Sequence, residues 1–151
     1  MPAKDLQHET VVQALEKDGW TITHDPLRLF WQGKALFVDL GAETIIAAEK
    51  EKLRIAVEIK SFSRPDSVND IHSASGQYVF YRSILRRIQP DRTLYLAIPL
   101  DAFEALFSEG RVGEVLLTDE EIQVIVFDPA EGEIVQWQET KNYINRSSRN
   151  S

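Results

Sequence analysis

The residues best suited to chemistry lie in the stretch Leu53-Arg54-Ile55-Ala56-Val57-Glu58-Ile59-Lys60. Its apolar, β-branched run has the composition of a strand buried on both faces. Successive strand side chains point to opposite faces, so Glu58 and Lys60 share one face while Val57 and Ile59 share the other. A carboxylate and an ammonium at the end of an apolar strand sit at a sheet rim. Each there needs a partner: the other group, a metal or water. Upstream, Leu36-Phe37-Val38-Asp39 repeats the pattern of an apolar run that ends in a carboxylate. If the two strands are neighbours, Asp39, Glu58 and Lys60 converge. Two carboxylates suit a hard divalent cation, Mg²⁺ or Mn²⁺. The ammonium can orient or deprotonate an attacking water and offset charge developing on a phosphate.

The register between the strands decides which acid joins Glu58. A simple hairpin turning at Glu51 would set Ile45 or Ile46 opposite Glu58 and bring Glu43 closer to Lys60 than Asp39. A bulge at Gly41-Ala42 would restore Asp39. Asp39 is therefore the first choice of metal ligand and Glu43 the alternative. Three further candidates come from helices. Glu9 flanks an apolar helical side and is a candidate to reach the metal through water. Gln77 and Tyr81 are one turn apart on a helix that follows Lys60, so they share a face. The same two residues also fit a surface amide and a packed core aromatic.

The chain that must position these groups has 151 residues, 43% hydrophobic and 27% charged, which suits one soluble domain with a sizeable core. Absence of cysteine rules out disulfides, a thiolate zinc site and a cysteine nucleophile. His8, His24 and His72 are too scattered for a histidine-rich metal site. The sequence has neither a signal-peptide pattern nor a long apolar run, so a cytoplasmic protein without membrane contact is expected. The formal charge of −7 means that any DNA contact must come from a local basic patch or a partner.

The elements follow from periodicity and punctuation. Residues 5–17 read as a helix capped by Asp5, with Leu6, Val11, Val12 and Leu15 inward and Gly19 just past its end. Residues 20–24 and 27–30 read as strands broken at Asp25-Pro26, and Trp31-Gln32-Gly33-Lys34 as a hairpin turn leading to the Asp39 strand at 35–40. Residues 41–52 carry mixed signals, strand at 44–46 and helix or turn at 47–52. After Lys60 comes a polar loop. Asp66 or Ser67 then caps a helix starting near Val68, strongest over 73–88 and carrying Arg82, Arg86 and Arg87. Strands are expected at 93–98, 116–117, 122–127 and 134–137, with a short helix at 101–107. The fold class is thus α/β, a central mixed sheet flanked by helices. One domain spans 1–140, and 141–151 is a polar tail.

The D…ExK arrangement resembles the core of the restriction-endonuclease-like nuclease superfamily. The Gln-x-x-x-Tyr helix after it resembles RecB-type members, which implies that Gln77 and Tyr81 bond the site or a nucleic-acid backbone. Longer blocks resemble the XisH family, cyanobacterial fdxN-element excision controlling factors: Pro2-Ala3-Lys4-Asp5, Asp18-Gly19-Trp20-Thr21-Ile22-Thr23-His24-Asp25-Pro26, Asp39-Leu40-Gly41-Ala42-Glu43, Ala56-Val57-Glu58-Ile59-Lys60-Ser61-Phe62 and Gly76-Gln77-Tyr78. The resemblance implies an endonuclease-like core and a part in programmed DNA excision. The implied partners are DNA, an XisI-like companion protein and a site-specific recombinase, with a homodimer as a further option. Two functions remain side by side: a divalent-metal-dependent DNA endonuclease, and a non-catalytic subunit that regulates recombination.

Overall fold

The structure is a computed structural model and describes residues 5–46 and 51–139. The chain runs α1 (His8–Lys17), β1 (Thr21–His24), β2 (Leu27–Trp31), β3 (Lys34–Val38), β4 (Leu40–Ile46), β5 (Glu51–Ile59), α2 (Val68–Ile88), β6 (Arg92–Pro99), α3 (Leu100–Leu106), α4 (Glu114–Thr118), β7 (Val124–Asp128) and β8 (Glu133–Gln138). Six strands form a sheet in the order β1-β4-β5-β6-β7-β8, and β2 with β3 forms a separate two-stranded sheet. The central β5–β6 and β6–β7 pairs are parallel, and β4–β5 and β7–β8 are antiparallel. The sheet is therefore mixed, as expected. Parallel strands are buried on both faces, which is why 94–98 and 124–127 are continuous apolar runs.

Each face carries its own core. On one, Ala56, Leu94, Leu96 and Val124 pack under α2 and α3, together with Leu27, Leu29 and Val38 of the β2–β3 hairpin. On the other, Ile55, Val57, Ile59 and Ala97 pack against Val11 and Leu15 of α1 and against Trp20. Trp137 closes this second core, 5.6 Å from the Trp20 ring and edge-on to Tyr95 at 5.0 Å. Alternation along β5 places Glu58 and Lys60 on the α2 face with Ala56, because Val57 and Ile59 belong to the other core.

Several elements differ from the sequence expectation. Asp5 does not cap α1; the helix begins at His8 behind Gln7, and Leu6 is 95% exposed. His8, Val11 and Leu15 are the buried side, at the spacing of successive helical turns. The strand expected at 35–40 is divided. Its first part is β3, its last residue opens β4, and Asp39 is the bend between the two sheets. Leu116 and Leu117 lie in α4 rather than a strand. Gly113 precedes that helix, and its N–H donates to the Leu106 carbonyl at 2.6 Å. A Cβ on Gly113 would meet that oxygen at 2.5 Å, so the close approach that folds α4 onto α3 requires glycine. The helix strongest over 73–88 extends back to Val68, with the Ser67 hydroxyl accepting from the Asp70 N–H. The mixed signals at 41–52 resolve into β4 and the start of β5; residues 47–50 and the tail at 141–151 lie outside the described residues. Among the described residues no helix is long and apolar enough to cross a membrane.

Candidate functional site

The β4–β5 ladder pairs Leu40 with Val57 and Ile46 with Glu51. One residue further along the same register, Asp39 stands opposite Glu58. The register runs unbroken from Leu40–Val57 to Ile46–Glu51, so no bulge is needed. Glu43 pairs with Arg54, lies 3.7 Å from its Nε and 3.6 Å from the Lys52 ammonium, and is remote from Glu58. The structure therefore brings Asp39, not Glu43, to Glu58.

The two acids are locked together by the backbone. The Asp39 N–H donates to Glu58 Oε1 at 3.3 Å, and the Ile59 N–H donates to Asp39 Oδ2 at 2.8 Å. Asp39 thus takes over the β5 ladder where the main chain turns away into the hairpin. Glu58 is 7% exposed. Burial pushes its carboxyl up to about 8, and the charge of Asp39 beside it adds to the shift. Burial also raises Asp39, while the Ile59 N–H and the charge of His8 work the other way. Both shifts favour the protonated form of the pair, the larger one falling on Glu58, with a Glu58–Asp39 side-chain hydrogen bond that raises Glu58 and lowers Asp39. Two carboxyl groups held together in a desolvated rim, able to exchange one proton for a cation, fit a Mg²⁺ or Mn²⁺ site. Such ions are commonly held by one or two carboxylates, with water and phosphate filling the remaining positions.

The other sequence candidates divide. The Lys60 N–H continues the sheet by donating to the Ala97 carbonyl at 2.9 Å. Its half-buried ammonium lies 3.7 Å from Asp70 Oδ1, in the first turn of α2. Asp70 also accepts from the Ser63 N–H and hydroxyl, both at 2.8 Å, and these bonds hold it below the usual carboxylate range. Tyr81 is half-buried on α2, packed against the core on that face of the sheet; burial and then the charges of Glu58 and Asp39 push its phenol up. Gln77, one turn earlier, is exposed. Glu9 is exposed on α1, which packs against the opposite face of the sheet.

Sequence reasoning missed two groups. The charges of Asp5 and His8 both act on Asp39. Asp5 accepts from the Gln7 N–H at 2.9 Å, the Ser61 N–H at 2.8 Å and the Ser61 hydroxyl, and so pins the chain just beyond Lys60. His8 is buried, with Nε2 2.7 Å from Asp25 Oδ1. The spacing of His8, Val11 and Leu15 was the available signal; nothing local to Asp5 announced a partner so far along the chain.

The comparisons with known proteins agree with one another. The family described as XisH protein matches residues 1–135. A solved fdxN element excision controlling factor protein from Anabaena variabilis is 37% identical, with a TM-score of 0.78 over 89% of this chain and 99% of that one. An XisH family protein from Nostoc punctiforme PCC 73102 is 39% identical, with a TM-score of 0.76 over the same shares. No curated protein matches the chain.

Proposed function

Because this chain belongs to the XisH family, we propose that it acts in the excision of a DNA element as a divalent-metal-dependent DNA endonuclease with a restriction-endonuclease-like core. The observation that carries the reading is the Asp39–Glu58 pair, a half-buried and a buried acid held side by side at the end of β5 by the Asp39 and Ile59 amides. Asp39 and Glu58 would hold Mg²⁺ or Mn²⁺, giving up a proton in exchange for the cation. A cation bound there would supply positive charge to offset the negative charge developing on a phosphate. Lys60 stands on the same strand face and orients the attacking water; its link to Asp70, at 3.7 Å and partly solvated, is weak enough to exchange for a phosphate. The Tyr81 hydroxyl donates to the bound backbone. Asp5 fixes the position of Ser61 and with it the end of β5. Glu9 and Gln77 are both exposed, and the reading does not depend on them.

The test is a nicking assay on supercoiled DNA with Mg²⁺ or Mn²⁺, comparing the protein with Glu58→Ala. Metal-dependent nicking absent from the variant supports the reading; no nicking by the parent protein, or equal nicking by both, overturns it. The second reading is a non-catalytic subunit that binds an XisI-like companion or a site-specific recombinase. It is favoured by the Lys60–Asp70 pair, which gives Lys60 a structural partner, and by the net charge of −7, which opposes autonomous DNA binding.

A further inference from the structure

A polar cavity of about 230 Å³ lies between α2, the start of β6 and the approach to β7. That volume exceeds the share of several waters, each about 30 Å³. Its walls include Tyr78, Arg82 and Arg86 of α2, Arg92 at the start of β6 and Gln123 just before β7. Tyr78 forms a fixed floor: its hydroxyl donates to the Leu94 carbonyl at 3.0 Å and accepts from the Gln123 N–H at 3.1 Å.

The three guanidinium groups make no ion pair among the described residues. Arg82 lies against the Tyr78 ring at 5.2 Å and donates through Nη1 to the Glu120 carbonyl at 2.9 Å, while its Nε is buried without a hydrogen-bond partner. Arg92 donates to the Gln89 side chain at 2.9 Å and to the Ile55 carbonyl at 2.8 Å, both neutral oxygens. Burial lowers the pKa of its guanidinium, while the charges of Asp91 and Glu43 work the other way, and its Nη1 lies on the β5 side of the cavity wall. Arg86 is exposed at the mouth, as is Glu121, the one carboxylate of the lining. Arg82 and Arg86 set like charge on the α2 wall of the cavity, which an anion there would offset. Planar guanidinium forks match the oxygen geometry of phosphate better than a single ammonium would.

We propose that this cavity binds a phosphate monoester group, carried by a small phosphate compound or by the end of a nucleic-acid strand. The site shares no residue with the acid pair. Arg92 stands beside Arg54 near the start of β5, whereas Glu58 stands beside Leu96 at its far end.

The experiment uses the full chain in EDTA, which keeps divalent metals from joining phosphate to the acid pair. Calorimetric titration is run with inorganic phosphate and with short oligonucleotides bearing a 5′-phosphate or a 5′-hydroxyl, at matched ionic strength. Saturable phosphate binding is expected, weakened at least ~10-fold by Arg86→Gln and unchanged by Arg111→Gln or Glu58→Ala. Arg86→Gln is the deciding variant because Arg82→Gln also removes a bond to Glu120 and can disturb folding. A phosphorylated oligonucleotide that binds more tightly than both phosphate and its hydroxyl counterpart identifies a strand end. Binding equal to that of free phosphate identifies a small compound. Absence of saturable binding by either phosphate probe, or equal affinity in Arg86→Gln and the parent, overturns the proposal.

Discussion

Glu58 holds its proton more tightly in the folded chain than in the unfolded one, since its pKa is raised from the ordinary 4.5 to about 8. The stability this contributes is complete below about pH 4.5 and is lost as pH rises through about 8. Asp39, raised as well, acts in the same direction. A shift of this size corresponds to a few kcal/mol for a group so deeply buried. Urea unfolding of the metal-free protein should show stability falling by ~2–4 kcal/mol between about pH 5 and 8.5, and Glu58→Gln should remove more than half of that fall. A flat profile in the parent would show that the two acids do not share a proton. Lys60 gives a separate test. Its ion pair is loose and partly solvated, so Lys60→Ala should cost about 1 kcal/mol or less in stability. Nicking should fall ~100-fold, the low end for loss of one positioned charged group. A large drop in melting temperature with no activity in either protein would instead favour the structural role.

Tyr78 is the fastener between α2 and two strands, and its hydroxyl serves β6 and the approach to β7 together. Tyr78→Phe leaves the Leu94 carbonyl and the Gln123 N–H short of a partner in a buried place. It should destabilise by ~1–3 kcal/mol in urea unfolding, and a change below about 0.5 kcal/mol would show that water replaces the hydroxyl. At this scale the sequence is informative wherever the signal is local. The apolar run before Glu58, the Ser67 cap and the Gln32-Gly33 turn, with φ of 50° and 78°, all follow from neighbours in the chain. It misleads where a distant partner decides. Asp5 has the look of a helix cap because nothing nearby tells that Ser61 stands beside it. Leu116 and Leu117 have the look of a strand because the Gly113–Leu106 contact that turns the chain into α4 is invisible to periodicity. The Asp39–Glu58 pairing is legible as two acids ending apolar runs, yet the register of β4 against β5 is one that the mixed composition of 41–52 leaves open. Gln77 shares a helix face with Tyr81 only coarsely; being one turn nearer the start of α2 carries it out into solvent.

For the whole molecule, the proposed function makes metal and proton compete for one place in the fold. Mn²⁺ binding should therefore raise the melting temperature more at about pH 8, where the proton is leaving Glu58, than at about pH 6. Differential scanning fluorimetry with and without Mn²⁺ checks this, with Glu58→Gln losing most of the increment. An equal increment at both pH values would place the metal elsewhere. The net charge of −7 adds to this competition by favouring cations over polyanions across the whole surface. Asp39 also marks the point where the main chain passes from the six-stranded sheet to the hairpin, bonded there through its own amide and through that of Ile59. Those two amide protons are thereby built-in reporters: in a nitrogen-edited NMR spectrum their chemical shifts register the ionisation and loading of the acid pair, without a label, a substrate or any turnover.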